Sequence, residues 1–162
     1  MKKWGVLAGL SIAGTALATI VGGGGGSLPG RMTGGGSIIS NGIRVTHGFE
    51  LNCDSTVVPQ SLEINWDSGH QFHLDQLTTA YCSNDPALQP SPGDTVDMDT
   101  YTGSGTGTLD GVPGATISFV FTDAGEPGSS DLAAYTIRDA NGNLVLTASG
   151  LLTFGNQQAH NQ

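Results

Sequence analysis

Ile43-Arg44-Val45-Thr46-His47-Gly48-Phe49-Glu50-Leu51-Asn52-Cys53 is the stretch that decides the fold class. Val45, His47, Phe49, Leu51 and Cys53 share one face of an extended chain, and Arg44, Thr46, Glu50 and Asn52 share the other. A period of two is the mark of a strand with one buried face. The same alternation recurs downstream. Leu62, Ile64 and Trp66 alternate with Glu63 and Asn65; Phe72 and Leu74 flank His73; Ile117, Phe119 and Phe121 alternate with Ser118 and Val120. Tyr135 and Ile137 face Leu144 and Leu146 across Asn141-Gly142, a pair that tolerates the positive φ of a tight hairpin turn.

Turn formers punctuate the chain at Gly69, Pro92-Gly93, Asp110-Gly111, Pro113-Gly114, Glu126-Pro127-Gly128 and Asn141-Gly142, and no stretch shows the 3.6 period of a long helix. Short strands between regular turns lead to the expectation of an all-β, antiparallel two-layer β-sandwich, jelly-roll or Ig-like, over residues 37–158. The expected core contains Val45, Phe49, Leu51, Leu62, Ile64, Trp66, Phe72, Leu74, Ile117, Phe119, Phe121, Ile137, Leu144 and Leu146. The proline-containing segment 84–99 reads as a long surface loop, and 159–162 as a polar tail.

The N-terminus reads as an export signal. Met1-Lys2-Lys3 is cationic, Trp4 to Val21 is apolar and uncharged, and Ala16-Leu17-Ala18 supplies small residues for cleavage after Ala18. Residues 1–21 are therefore expected to be a signal peptide; a retained membrane anchor is the rival reading. Residues 22–36, rich in glycine, read as a linker. Cys53 and Cys82 are the only cysteines, and in an exported chain they most simply form one disulfide. On the chain-entropy model that bond contributes roughly 3–4 kcal/mol; two buried thiols are the alternative.

The net charge is -9, with 14 acidic against 5 basic side chains. Without Lys2 and Lys3 the only cations are Arg31, Arg44 and Arg138. A scattered trio of arginines makes nucleic acid and anionic lipid poor partners. The expected address is secreted, periplasmic or cell-surface, with no membrane contact once the signal is removed.

Several runs carry a resemblance. They are Gly30-Arg31-Met32-Thr33-Gly34-Gly35-Gly36, Val45-Thr46-His47-Gly48-Phe49-Glu50-Leu51-Asn52-Cys53, Leu62-Glu63-Ile64-Asn65-Trp66, Thr122-Asp123-Ala124-Gly125-Glu126-Pro127-Gly128 and Gly155-Asn156-Gln157-Gln158-Ala159-His160. Together they resemble a small secreted bacterial module sometimes labelled a post-choice-of-anchor domain. The resemblance implies an extracellular β-sandwich; it implies no catalytic residues.

Three sets of residues are candidates for chemistry. Glu63, Asn65, Gln71 and His73 fall on one polar sheet face, a binding surface or simply a solvated one. Asp97, Asp99, Asp123 and Glu126 lie in two acidic loops with the oxygen-rich chemistry calcium takes, although such residues also serve as turn formers. His47 sits on an apolar face, where a hydrogen-bonded core role competes with that of ligand or base. His70 and His73 are three apart, on opposite faces of a strand. Gly103-Ser104-Gly105-Thr106-Gly107 has the wrong spacing for a nucleophile elbow and reads as a strand or flexible ribbon. Trp66 reads as core, and Tyr81 and Tyr101 as exposed contacts.

The reading that follows is a non-catalytic secreted or surface module for recognition, adhesion or assembly, with an extracellular protein or glycan as partner and self-association through a free sheet edge. A calcium-dependent glycan- or ligand-binding domain is the alternative, and a small secreted hydrolase the third.

Overall fold

The computed structural model describes residues 26–88, 93 and 95–162. The expected signal peptide lies outside the described residues. Nine strands form one antiparallel sheet: β1 (Arg31–Ser40), β2 (Ile43–Asn52), β3 (Ser61–Trp66), β4 (His70–Ser83), β5 (Thr100–Leu109), β6 (Val112–Thr122), β7 (Leu132–Arg138), β8 (Leu144–Leu151) and β9 (Phe154–His160). Their order is β8-β7-β6-β5-β4-β3-β2-β1-β9, an up-and-down meander whose last strand returns to pair with the first.

The expected two-layer sandwich is corrected by this topology. One sheet curls into a half-barrel, and its two ends face each other across the core. The bend lies at β4 and β5. β4 has register shifts between Leu74 and Gln76 and between Leu77 and Thr79, and such bulges raise local twist. β5 turns Gly103, Gly105 and Gly107 inward, so between Tyr101 and Leu109 its inner face carries no side chain. A Cβ on Gly107 would lie 2.2 Å from the His73 carbonyl oxygen and 2.5 Å from Phe72 Cζ. The sheet folds this tightly because those Cβ atoms are missing.

Across the bend, β2 meets β6 and β7. Phe49 stacks on Phe121 with ring centroids 4.0 Å apart. Trp66 is buried as expected, and so are all the other expected core residues except Leu144. A register shift after Ile137 turns Leu144 out, opposite Arg138, leaving it 53% exposed. Tyr101, expected to be exposed, is buried and donates its hydroxyl hydrogen to the Asn52 carbonyl at 2.6 Å. Tyr81 is exposed.

Both expected boundaries move. β1 begins at Arg31, inside the stretch read as a linker, and β9 continues to His160, inside the stretch read as a tail. Asn41-Gly42 closes the β1–β2 hairpin with positive φ at both residues (50° and 76°), the twist-matched two-residue turn. Cys53 and Cys82 are bonded, joining the end of β2 to the end of β4 just before the long loop.

Candidate functional site

The outer face of β2, β3 and β4 gathers the predicted polar group. Register places His73 beside Glu63, Glu63 beside Gly48, and Gly48 beside Gly35 on β1. Glu63 is the hub. Its Oε1 accepts from Asn65 Nδ2 at 3.1 Å and from Gln71 Nε2 at 2.8 Å. Those two bonds hold its carboxyl below the usual carboxylate range, with His73 adding a smaller pull in the same direction. Its Oε2 lies 4.0 Å from His73 Nδ1. The structure thus brings all four predicted residues together.

Two glycines that sequence reasoning passed over, Gly48 and its register partner Gly35, lie on this outer face. Nothing lies within 4 Å of where a Gly48 Cβ would be, and only the His47 carbonyl oxygen, at 3.7 Å, comes near that of Gly35. The result is an open trough of about 400 Å³ lined by Thr46, Gly48, Ser61, Glu63, Asn65 and His73. That volume falls within the roughly 300–1,000 Å³ range of ligand sites. A glycine inside a strand is an unusual residue, and two of them paired on an outward face was the available signal.

The four predicted calcium ligands are not assembled around one point. Asp99 Oδ1 accepts from the Asp85 amide (2.8 Å) and the Thr100 hydroxyl (2.7 Å), and burial raises its pKa. Asp123 accepts from the Gly125 amide through Oδ1 (3.0 Å) and from the Ala159 amide through Oδ2 (2.8 Å). Glu126 Oε1 accepts from the side-chain amides of Asn156 and Gln158. Among the described residues, Asp97 included, no group of three or more His, Cys, Asp or Glu side chains is placed to hold a metal ion. Asp123 and Glu126 instead face strand β9.

Asp131 completes that arrangement. It is fully buried, and it accepts from the Ala124 amide through Oδ1 and from the Gln157 amide through Oδ2, both at 2.8 Å. Burial pushes its pKa up to about 6 against the pull of those two bonds. Asp131 and Asp123 therefore take two amide hydrogens, those of Gln157 and Ala159, on the side of β9 that faces away from β1. They supply the partners that a neighbouring strand would otherwise give. Gly128, in a 3-10 turn between β6 and β7, packs directly on Gly155 and Asn156.

His47 is a core residue. Its Nδ1 is 2.6 Å from the Tyr135 hydroxyl and its Nε2 is 3.2 Å from Gln157 Nε2. Burial lowers the His47 pKa to about 4, so the ring is neutral near pH 7. His70 lies at the hairpin end, stacked on Trp66, with Nδ1 2.8 Å from Asp110 Oδ2; that bond raises its pKa. The two carboxyls with raised pKa values, Asp99 and Asp131, are bonded to backbone amides, which is a structural rather than an acid–base arrangement. No protein-family model matches the chain, nor does any curated protein or solved structure.

Proposed function

We propose that this chain is an exported, non-catalytic recognition module whose working surface is the trough between Gly48 and Glu63, and that its ligand is an uncharged glycan. One observation carries the proposal: the two outward glycines meet nothing that requires their smallness, whereas the inward ones do. The trough frame adds chemistry suited to sugar hydroxyls. Glu63 is fixed through Oε1, its Oε2 lies 4.0 Å from His73 Nδ1, and Asn65 and Thr46 line the same trough. The net charge of -9 disfavours polyanionic glycans.

Export is supported by the Cys53–Cys82 bond, which suits an oxidising compartment, and by the signal-like N-terminus. No helix among the described residues is long and apolar enough to cross a membrane. The resemblance to a secreted β-module is compatible with this role.

The test is an NMR titration of the exported domain with neutral hexasaccharides (gluco-, manno- and xylo-configured), with oligogalacturonate as the anionic control. The proposal expects shifts at Gly35, Gly48, Asn65 and His73 with at least one neutral sugar, at a Kd of about 1 mM or tighter. Equal binding of the anionic control, or shifts confined to other strands, would contradict it.

A further inference from the structure

The two edges of the sheet are treated differently. The β9 edge is sealed: Asp123 and Asp131 occupy the Ala159 and Gln157 amides, and Gly128 packs on Gly155 and Asn156. The β8 edge is not. β8 pairs only with β7, and its sequence Leu-Val-Leu-Thr-Ala-Ser-Gly-Leu contains no charge and no proline, the devices that usually protect an edge. Near its C-terminal end β1 approaches, where Gly150 lies against Ile38 and Ile39.

Exposed apolar residues collect along this seam. Of the ten large exposed hydrophobics among the described residues, five lie on β8, on β1, which approaches it, or on β9 beside β1: Ile39, Leu144, Val145, Leu151 and Phe154. Exposed apolar side chains along an unpaired edge have the composition of an interaction surface. Charge selects the occupant. The chain carries 14 acids, yet β1, β8 and β9 hold none, so the seam is a surface on which two copies meet with the least mutual repulsion.

We infer that a second copy of this chain docks here, β8 against β8, about a two-fold axis. Because β9 is sealed, β8 has no complementary edge on which to grow head to tail. Pairing with itself is the arrangement left, and it closes as a dimer instead of extending into a fibre. Thr147 lies midway along β8, and an antiparallel two-fold pairing sets it near its own copy.

The experiment combines two readouts on the exported chain. Light scattering coupled to size exclusion, over about a hundredfold dilution, is expected to give a dimer that dissociates at the low end. The exposed-site double variant Val145→Lys/Leu151→Lys should be monomeric throughout, with an unchanged circular dichroism spectrum. Thr147→Cys should form an intermolecular disulfide rapidly, and Thr102→Cys, exposed on β5, should not; the native cysteines are already bonded to each other. A wild-type monomer at every concentration, a dimer untouched by the two lysines, equal cross-linking at Thr102, or masses that grow beyond two would each overturn the inference.

Discussion

The glycines of β5 and those of the β1–β2 pair occupy the same kind of strand but face opposite ways. Gly103, Gly105 and Gly107 point into the core, where an added Cβ would sit 2.2–2.5 Å from Phe119, Leu74 or the His73 carbonyl. Gly35 and Gly48 point outward into open space. The first set is explained by packing: rings and a carbonyl fill the volume a side chain would take, and the sheet bends there. Nothing in the packing accounts for the second set, and a glycine in a strand costs conformational entropy. The difference separates what the fold requires from what a surface is kept for.

The largest expected effect breaks the inner half of this comparison. Gly107→Ala forces backbone and ring apart and should destabilise the domain by about 3 kcal/mol, the upper end of overpacking costs, read from urea unfolding. A change within about 0.5 kcal/mol, the usual spread of harmless surface substitutions, would mean the bend does not depend on the stripe.

The next effect concerns the polar residues that face inward. Between about pH 4 and 6 the folded state keeps the Asp131 proton that an unfolded aspartate, with a pKa of about 3.9, has lost, so this group makes stability fall as pH rises. His47 acts in the opposite sense. Its folded pKa of about 4 lies below the unfolded value of about 6.5, so the unfolded state binds the extra proton in that window and stability rises with pH. The wild-type profile from pH 4 to 6.5 should therefore be shallow. Asp131→Asn should leave a rise with pH and His47→Gln a fall, both measured by thermal unfolding across the window. Parallel profiles in all three proteins would remove both groups from the account. Glu63→Gln, outward on β3, removes a carboxyl whose folded pKa is depressed by the Asn65 and Gln71 amides, so it should take away only the part of the stability that is lost as pH falls at the acid end of the window and leave the rest of the profile as in the wild type.

These contrasts also show what a sequence can disclose. Apolar alternation in β2, β3, β6 and β7 is legible because each inward position carries a large side chain. In β1 and β5 the inward positions include Gly34, Gly36, Gly103, Gly105 and Gly107, which leave no apolar trace. One was read as a linker and the other as a strand or ribbon without a face. The closure was hidden for the same reason: a strand pattern does not say whether two walls are separate sheets or one sheet bent at a glycine stripe. At the site, Glu63, Asn65, Gln71 and His73 were legible from parity, since strand faces alternate. The carboxylates were legible as acids but not as caps. Asp131 bonds an amide 26 positions away and Asp123 one 36 positions away, and no local motif encodes either contact.

The smallest expected change in stability is also the most direct test. Gly48→Val places a β-branched residue on an outward strand position with open space around it. Its unfolding free energy should be unchanged or raised by at most about 1 kcal/mol. Its affinity for the neutral hexasaccharide that binds the wild type should fall at least about tenfold, because the side chain fills the trough. Stability retained with binding lost is the result this account predicts. Binding retained at full strength in a folded Gly48→Val protein would show that the trough is not the recognition surface.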